Sequence, residues 1–321
     1  MGILSNKHFI ELENATKQDI QTLIDVGFMF KEVLDRPIKK VPSLTGVNIA
    51  NLFFENSTRT KLSFELAEKR LSADVINFSA SSSSINKGET FKDTVQNIHA
   101  MKIDCIVMRH PVPGSCLQLT DYVDSIIVNA GDGTHEHPTQ AMLDLMSLHE
   151  KFGGLSGLKI AIIGDILHSR VALSNIYGLK KMGAEVMLCS PPHLIPQSID
   201  QLGVTINHDI DDVLEWADAL NVLRIQRERM GIGLIPSIRE YRDFFGITKE
   251  RLSNHKKEII VMHPGPMNRG IEIDSEVAEG DQAIILDQVL NGVAVRMSIL
   301  YCLLGNEKDL KNEKDLKNEK K

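Results

Sequence analysis

Short apolar runs alternate with amphipathic stretches along most of the chain, and this alternation constrains the fold more than any other feature. Four runs in the first half have the length and composition of buried strands: Val47–Phe54, Asp74–Phe78, Asp104–Met108 and Ser125–Asn129. Stretches with helical spacing of apolar residues separate these runs. Strands that alternate with helices in this way predict βαβ units and a parallel sheet.

The alternation restarts after the glycine-rich break at Gly153–Gly157. Four more strands are predicted there, at Lys159–Ile163, Glu185–Cys189, Ala219–Leu223 and Glu258–Met262. A chain of 321 residues suits two domains of roughly 100–200 residues each. We therefore predict an α/β protein of two domains, each a parallel sheet flanked by helices, with the active site in the cleft between them.

The domain boundaries follow from the last apolar helix, predicted at Gln282–Leu303, which is expected to return to the first half. The first domain then comprises residues 1–145 plus 287–305, and the second comprises residues 146–286. The polar stretch Arg224–Asn254 between two strands is expected to be partly loop. Residues 306–321 repeat a charged unit that cannot bury a core, so we expect a disordered tail or a solvated helix extension.

The composition limits the partners of the chain. Its formal net charge is −7, so no basic face for nucleic acid is expected. No uncharged apolar run reaches the ~20 residues that span a bilayer, so no membrane partner is expected either. The four scattered cysteines form no CxxC pair, which indicates reduced, buried thiols and a cytoplasmic location.

Polar side chains follow the predicted strands at the points where the strands end. In a parallel sheet, ligands bind beyond these carboxyl ends. The residues at these positions are Ser57–Thr60, Arg109, His137, Gln140, Arg170, Arg224, Gln226, Gly265 and Pro266. Several arginines among them indicate anionic ligands, with phosphate at one set of strand ends and carboxylates at the other.

The stretch Ser57–Thr60 is the clearest candidate, because hydroxyls, a guanidinium and the N–H groups of a helix N-terminus together form a phosphate site. Each cluster also has a simpler interpretation when it is taken alone. Ser57–Thr60 and His137 could cap helices, and the arginines at 224, 227 and 229 could be a solvated charge run. His135 and His137 could suggest a metal, but no third ligand stands at a known spacing, so no metal is expected.

Six motifs in order resemble the catalytic chains of the aspartate carbamoyltransferase family, over about residues 8–305. They are Phe-Phe-Glu-x-Ser-Thr-Arg-Thr, Lys-Gly-Glu-Thr, Met-Arg-His-Pro, Gly-Asp-Gly-x-x-x-His-Pro-Thr-Gln, Arg-x-Gln-x-Glu-Arg and His-Pro-x-Pro. The resemblance implies two α/β domains, a homotrimer with shared active sites and no cofactor. It also implies transfer of a carbamoyl group from carbamoyl phosphate to L-aspartate in pyrimidine (UMP) biosynthesis. Regulatory chains are possible partners.

The resemblance also implies roles for individual residues. Carbamoyl phosphate would contact Ser57, Thr58, Arg59, Thr60, Arg109, His137, Gln140, Gly265 and Pro266, together with Ser83 and Lys87 from the adjacent subunit. The catalytic residues among these would be Arg59, Thr60, Lys87, Arg109 and His137. Aspartate would contact Lys87, Arg170, Arg224 and Gln226. Glu55 and Arg229 resemble residues that couple domain closure. Any of Ser81–Ser84 could take the place of Ser83, because all four are serine.

The chemistry of this reaction needs these residue types. The aspartate amine attacks a carbonyl carbon whose leaving group is phosphate, so no enzyme nucleophile is required. Orientation of two anions and hydrogen-bond donors for the developing oxyanion are required, and Thr60, Arg109 and His137 would supply the donors. Two alternatives are an ornithine carbamoyltransferase and a non-catalytic anion-binding protein. The first typically carries Asp-x-x-x-Ser-Met-Gly and His-Cys-Leu-Pro motifs, which this chain lacks. The second would be expected to lose the oxyanion donors.

Overall fold

A computed structural model of the chain describes residues 3–79, 89–226, 237–255 and 258–305. The contacts divide the chain into two compact units, which we call unit 1 (Met1–Met142 and Leu290–Lys321) and unit 2 (Leu143–Val289). The division falls after residues 142 and 289, whereas the sequence predicted boundaries after residues 145 and 286. The predicted character of the tail at 306–321 lies outside the described residues.

Unit 1 contains a four-stranded parallel sheet in the order β2-β1-β3-β4. Its strands are β1 (Asn48–Phe53), β2 (Asp74–Ser79), β3 (Cys105–His110) and β4 (Ile126–Asp132). Its helices are α1 (Lys17–Leu34), α2 (Thr58–Arg70), α3 (Phe91–Ala100) and α4 (Ser115–Leu119), with the start of α5 (Pro138–Phe152) and most of α11 (Ile285–Leu304). The division between the units falls within α5 and α11.

The core of unit 1 forms where the apolar faces of the strands meet the helices. Ile106, Met108 and Ile127 are buried in one cluster with residues of β1 and α4. The helix α11 packs against α1 and α2, since Tyr301 meets the ring of Phe30 edge-on at 5.4 Å and Arg296 lies 5.0 Å from the ring of Phe64. These contacts hold α2, the helix that follows β1, in a fixed position.

Unit 2 contains a five-stranded parallel sheet in the order β7-β6-β5-β8-β9. Its strands are β5 (Lys159–Ile163), β6 (Glu185–Cys189), β7 (Thr205–Asn207), β8 (Ala219–Val222) and β9 (Ile260–Met262). Its helices are α6 (Arg170–Lys181), α7 (Ile210–Trp216), α8 (Ile238–Phe245), α9 (Lys249–Ser253) and α10 (Ser275–Ala278), with short 3-10 turns at Pro192–Leu194 and Ile199–Leu202. The predicted α/β architecture, with one parallel sheet in each domain, is confirmed.

The polar stretch that was expected to be partly loop contains two helices among its described residues, α8 and α9. Each helix is preceded by a hydroxyl residue whose side chain accepts a backbone N–H of the first turn. This residue is Ser237 for α8 and Thr248 for α9. Such caps favour short helices even in polar sequence.

The helix α11 is long and apolar enough to cross a membrane by length and composition, with a mean hydropathy of 1.2. In the folded chain, 72% of that stretch is buried inside the protein. It also contains the charged residues Asp287 and Arg296. This combination is typical of a core helix.

Candidate active site

Strand register places the polar clusters of unit 1 at one edge of its sheet. Phe53 pairs with Arg109, and His110 pairs with Asp132, so the carboxyl ends of β1, β3 and β4 lie side by side. In the order β2-β1-β3-β4, the chain adds β2 on one side of β1 and then returns to add β3 on the other side of β1. Ligands of open α/β sheets bind at such a switch point.

The first turn of α2 is formed by Thr58, Arg59 and Thr60 themselves, because the helix begins at Thr58. Ser57 occupies the N-cap position, but its side chain makes no capping hydrogen bond. Its hydroxyl donates to Thr60 Oγ1 at 2.9 Å instead. The first turn contains no acidic residue. This helix end therefore favours an anion, by its dipole as well as by its hydroxyls.

Arg109 is held at the end of β3 by neighbours on both sides. One guanidinium nitrogen donates to the Ala130 carbonyl at 3.1 Å, and another lies 3.4 Å from Glu55 Oε1. The side chain of Arg109 is only 11% exposed. Glu55 was predicted to couple domain closure. In unit 1, its carboxylate lies beside the Arg109 guanidinium. The structure therefore places Glu55 next to a predicted phosphate ligand, and its part in closure stays a prediction.

The turn between β4 and α5 presents His137 and Gln140. Both side chains are buried, and the N–H of Gln140 donates to the His137 carbonyl at 2.9 Å as α5 begins. Asp132, which is fully buried, organises the turn. Its Oδ1 accepts from Asn129 Nδ2 at 2.8 Å, and its Oδ2 accepts the Gly114 N–H at 2.8 Å. His137 thus stands at the end of β4, next in the sheet to the end of β3.

His135, which the sequence offered with His137 as a metal ligand, contacts two carboxylates. His135 Nδ1 lies 3.1 Å from Asp132 Oδ2, and its Nε2 lies 3.6 Å from Glu11 Oε2. The hydrogen bond to Asp132 raises the pKa of His135 above its ordinary value. The group whose ligand atoms lie together consists of Glu11, Glu13 and His135, and it does not include His137.

Unit 2 repeats the arrangement with its own strand ends. Ile163 pairs with Val222, and Asn221 pairs with Met262, so the ends of β5, β8 and β9 are neighbours. The order β7-β6-β5-β8-β9 switches direction between β5 and β8. Arg170 follows β5, and Arg224 follows β8. The two predicted aspartate-binding arginines therefore follow the two strands that flank this switch point.

Arg170 is the first residue of α6 and is 5% exposed. Ser169 caps this helix, because its hydroxyl accepts the Ala172 N–H at 3.2 Å. Gly164 follows β5 with a φ of +120°, and a Cβ there would lie 2.8 Å from the Leu223 carbonyl oxygen. Only glycine fits where the chain passes this carbonyl oxygen. The ends of β5 and β8 can therefore approach each other closely at the switch point.

Asp165, fully buried, holds the loop that carries Gln226. Its Oδ2 accepts the Gln226 N–H at 3.2 Å, and its Oδ1 accepts His168 Nδ1–H at 2.8 Å. Gln226 Nε2 donates to the His168 carbonyl at 2.9 Å. The side chain of Gln226 is thereby tied to the β5–α6 loop, next to Arg170.

The turn after β9 contains Gly265 and Pro266, joined by a cis peptide bond. The Gly265 N–H donates to His263 Nδ1 at 2.8 Å, so His263 Nε2–H faces Glu272 Oε1 at 3.3 Å. Gly265 has a φ of +64°, a backbone conformation that favours glycine. Asn268 Nδ2 donates to the Ile225 carbonyl at 3.1 Å and connects this turn to the Arg224 loop.

Ser83, Lys87 and Arg229 lie outside the described residues, so their predicted roles stay predictions. Four fully buried carboxylates that support the candidate ligands were not predicted: Asp132, Glu136, Asp165 and Glu272. Asp132 is part of the Gly-Asp-Gly motif, and the other three stand within a few residues of a motif residue. This position in the sequence was the available signal. Their partners, however, include groups distant in sequence. Glu136, for example, accepts from Leu12, 124 residues away.

Comparison with known protein families matches both halves of the chain. Residues 7–150 match "Aspartate/ornithine carbamoyltransferase, carbamoyl-P binding domain", and residues 156–303 match "Aspartate/ornithine carbamoyltransferase, Asp/Orn binding domain". The second match includes residues 290–303, which the contacts assign to unit 1.

Individual relatives are similar over nearly their whole length. The aspartate carbamoyltransferase catalytic subunit of Cytophaga hutchinsonii is 59% identical over 96% of this chain and 100% of its own. That of Gemmatimonas aurantiaca is 53% identical over 95% of each chain. Among solved structures, aspartate transcarbamoylase of Trypanosoma cruzi in complex with carbamoyl aspartate and phosphate has a TM-score of 0.86, at 32% identity over 95% of this chain and 98% of its own.

Proposed function

The chain belongs to the aspartate/ornithine carbamoyltransferase family, and from this premise we propose how its two units divide the reaction. It is a carbamoyltransferase that transfers the carbamoyl group of carbamoyl phosphate to the amine of L-aspartate. The products are N-carbamoyl-L-aspartate and phosphate, in pyrimidine biosynthesis. The observation that carries the proposal is a set of hydrogen-bond donors and positive charges at the switch point of each sheet.

Unit 1 takes carbamoyl phosphate. The N-terminus of α2 and the hydroxyls of Ser57, Thr58 and Thr60 bind the phosphate, and Arg59 adds a positive charge. Arg109 and His137, at the ends of the next two strands, lie beside this helix end through the strand register. With Thr60 they donate to the carbonyl oxygen of the carbamoyl group. Gln140, buried in the first turn of α5, is a further contact.

Unit 2 takes L-aspartate. Arg170 and Arg224 present guanidinium groups to two carboxylates, a pairing that can be bidentate. Gln226 is held against the β5–α6 loop and adds a neutral donor. Two arginines at this switch point would repel the cationic side chain of ornithine, which favours aspartate over the other substrate of the family. The backbone of Gly265 and Pro266 is a contact for both substrates.

The reaction proceeds by direct attack. The amine nitrogen of aspartate forms a bond to the carbonyl carbon, the carbonyl oxygen gains negative charge, and Thr60, Arg109 and His137 stabilise it. The bond between the carbonyl carbon and the phosphate oxygen then breaks, and the departing phosphate takes the amine proton. No side chain has to act as general base, and the chemistry requires no cofactor.

We also propose a homotrimer in which Ser83 and Lys87 of one subunit complete the site of the next. Three exposed apolar side chains support this assembly. They are Leu62 and Leu66 on α2 and Ile76 on the edge strand β2, which are exposed by 60%, 39% and 46%. Exposed apolar side chains on an edge strand and on the helix before it are typical of a protein interface. Domain closure involving Glu55 and Arg229, possible regulatory chains and a cytoplasmic location are further expectations of this proposal.

Product formation with aspartate and with ornithine tests the activity directly. We expect N-carbamoyl-L-aspartate from carbamoyl phosphate and aspartate, and no citrulline from ornithine. Absence of product with aspartate would contradict the assignment. The remaining interpretation would then be a non-catalytic anion-binding protein, which binds phosphate without turnover.

Size and complementation test the shared site. Three chains of 35.8 kDa give a particle of about 100 kDa. Lys87→Ala and His137→Ala should each be nearly inactive alone. When the two variants are dissociated and reassociated together, sites that receive Lys87 from one chain and His137 from another should recover activity. Complete inactivity of such mixed trimers would contradict the assignment of Lys87 to the neighbouring subunit.

A further inference from the structure

Glu136 is a fully buried carboxylate directly before His137 in the sequence. Its two oxygens accept hydrogen bonds from the main chain of the N-terminal segment, Oε2 from the Leu12 N–H at 2.9 Å and Oε1 from the Glu13 N–H at 3.1 Å. These partners are far away in sequence. Neither the motifs nor the proposed mechanism assigns a role to this residue.

The N-terminal segment, residues 8–13, is itself fixed along the strand that leads to His137. Phe9 forms a parallel bridge with Val128 of β4. The Phe9 N–H donates to the Ile127 carbonyl at 2.9 Å, and the Asn129 N–H donates to the Phe9 carbonyl at 2.9 Å. Asn129 Nδ2 also donates to the Ile10 carbonyl at 2.8 Å. The backbone that Glu136 contacts is therefore an ordered neighbour of β4.

The main chain of Glu136 is fixed as well. The Asp132 N–H donates to the Glu136 carbonyl at 3.1 Å, and the Glu136 N–H donates to Asp132 Oδ1 at 3.2 Å. On the other side, the His137 carbonyl accepts from Gln140 and Ala141 at the start of α5. His137 therefore stands between a helix on one side and Glu136 on the other. The side chain of Glu136, the residue before His137, connects this part of the turn to the N-terminal segment.

We propose that Glu136 is a positioning residue for His137, and that it holds the imidazole in line with the oxyanion by anchoring the β4–α5 turn to the N-terminal segment. The inference rests on the proposed function, because it assigns a role toward the group that stabilises the oxyanion. A carboxylate is required, since two N–H groups face the side chain and both of its oxygens can accept. Glutamine would offer one acceptor and would turn an NH₂ donor toward the second N–H.

The effect should appear in the transition state more than in substrate binding. A group that only positions an oxyanion donor changes kcat, whereas loss of uniform binding changes KM. The proposed phosphate donors, Ser57–Thr60, belong to the N-terminus of α2 and not to the β4–α5 turn. A general weakening of unit 1 would instead reduce phosphate affinity and kcat together.

The primary test is Glu136→Gln in the full chain. We expect kcat with aspartate to fall about tenfold, because small displacements of catalytic groups have effects of this size. The dissociation constant of inorganic phosphate, measured by calorimetry, should change less than about threefold. A lower melting temperature with an unchanged kcat would overturn the proposal and leave Glu136 a purely structural residue. An equal loss of phosphate affinity and kcat would also overturn it.

A variant of the N-terminal segment tests the other partner of these hydrogen bonds. It still tests the proposal if Glu136→Gln does not fold. Glu13→Pro removes one of the two N–H donors, since proline has none, while Glu136 is left intact. Glu13→Ala is the matched control, because it keeps the N–H and changes an exposed side chain. We expect Glu13→Pro to lower kcat and Glu13→Ala to match the wild type. Equal kcat values in this pair would overturn the proposal. Activity of the wild type with aspartate tests the proposed function separately.

Discussion

The two units place their candidate ligand groups at equivalent points of their sheets but hold them differently. In unit 1 the helix after the first strand begins soon after the strand, and its uncapped first turn carries the donors. In unit 2 a longer loop follows the first strand. The helix there is capped by Ser169, and Arg170 is its first residue. The first arrangement offers many N–H and hydroxyl donors to a compact phosphate, and the second offers guanidinium groups to carboxylates.

One buried carboxylate of each unit, Asp144 in unit 2 and Glu68 in unit 1, differs in the number of its hydrogen-bond donors. In unit 2, Asp144 accepts from the amide groups of Asn175, Asn221 and Gln288, at 2.9, 3.3 and 2.7 Å. In unit 1, Glu68 on α2 accepts a side-chain hydrogen bond from Asn51 Nδ2 at 2.8 Å. Burial raises the pKa of Glu68 to about 8. A buried charge needs several donors, so the surroundings of Glu68 favour the protonated acid.

The comparison predicts that unit 1 governs turnover, and His137→Ala is the strongest test. Removal of one oxyanion donor costs about 2.7–4 kcal/mol of barrier, so kcat should fall roughly 10²- to 10³-fold at saturating substrates. Thr134→Ala, an exposed position in the same turn, is the control and should keep the wild-type kcat. An increase in KM with an unchanged kcat would place His137 in substrate binding instead.

Unit 2 should govern the affinity for aspartate. Arg224→Ala removes charge-assisted hydrogen bonds worth about 1.5–3 kcal/mol, so the KM for aspartate should rise roughly 10- to 150-fold. The KM for carbamoyl phosphate should stay nearly unchanged, since Arg224 is not among its proposed contacts. Steady-state kinetics with each substrate varied in turn measures both values. Equal effects on the two substrates would refute this division between the units.

The sequence predicted the division itself, because the alternating runs and the clusters at strand ends are local patterns. The eight predicted strands are all present, whereas the short β7 and several short helices of the described residues were missed. The supporting carboxylates could not be predicted, since Glu136 and Asp144 contact groups 124 and up to 144 residues away. Only the folded chain shows which polar residue near a motif holds a neighbour in place.

The burial of Glu68 also predicts that the stability of the chain depends on pH. For Glu68 the folded pKa, about 8, lies above the ordinary value of 4.5. The folded state therefore keeps a proton that the unfolded state loses, and stability falls as the pH rises from about 4.5 to about 8. Asn51 Oδ1 and Glu68 Oε1 have no hydrogen-bond partner among the described residues, and a proton on Glu68 would supply the missing donor.

Glu68→Gln tests this interpretation, because glutamine keeps the shape and offers a donor at every pH. Between pH 6 and pH 7.5 the wild type should lose about 2 kcal/mol of unfolding free energy relative to the variant. Urea unfolding at several pH values measures the difference, and Glu65→Gln on the same helix is the control. Parallel stability curves for Glu68→Gln and the wild type would show that Glu68 is ionised throughout this range.

The smallest expected effect concerns the serines before α2 and α6. Ser169→Ala should lower the unfolding free energy by about 1 kcal/mol, because it removes a capping hydrogen bond to Ala172. Ser57→Ala should change it by less than about 0.5 kcal/mol, since Ser57 makes no such bond. The same Ser57→Ala change should weaken phosphate binding by about 1 kcal/mol, the worth of one neutral hydrogen bond. Thermal unfolding without phosphate and calorimetry with phosphate separate the two effects. Equal destabilisation by the two substitutions would mean that Ser57 supports the helix as an ordinary cap, and the contrast between an open and a closed helix end would be lost.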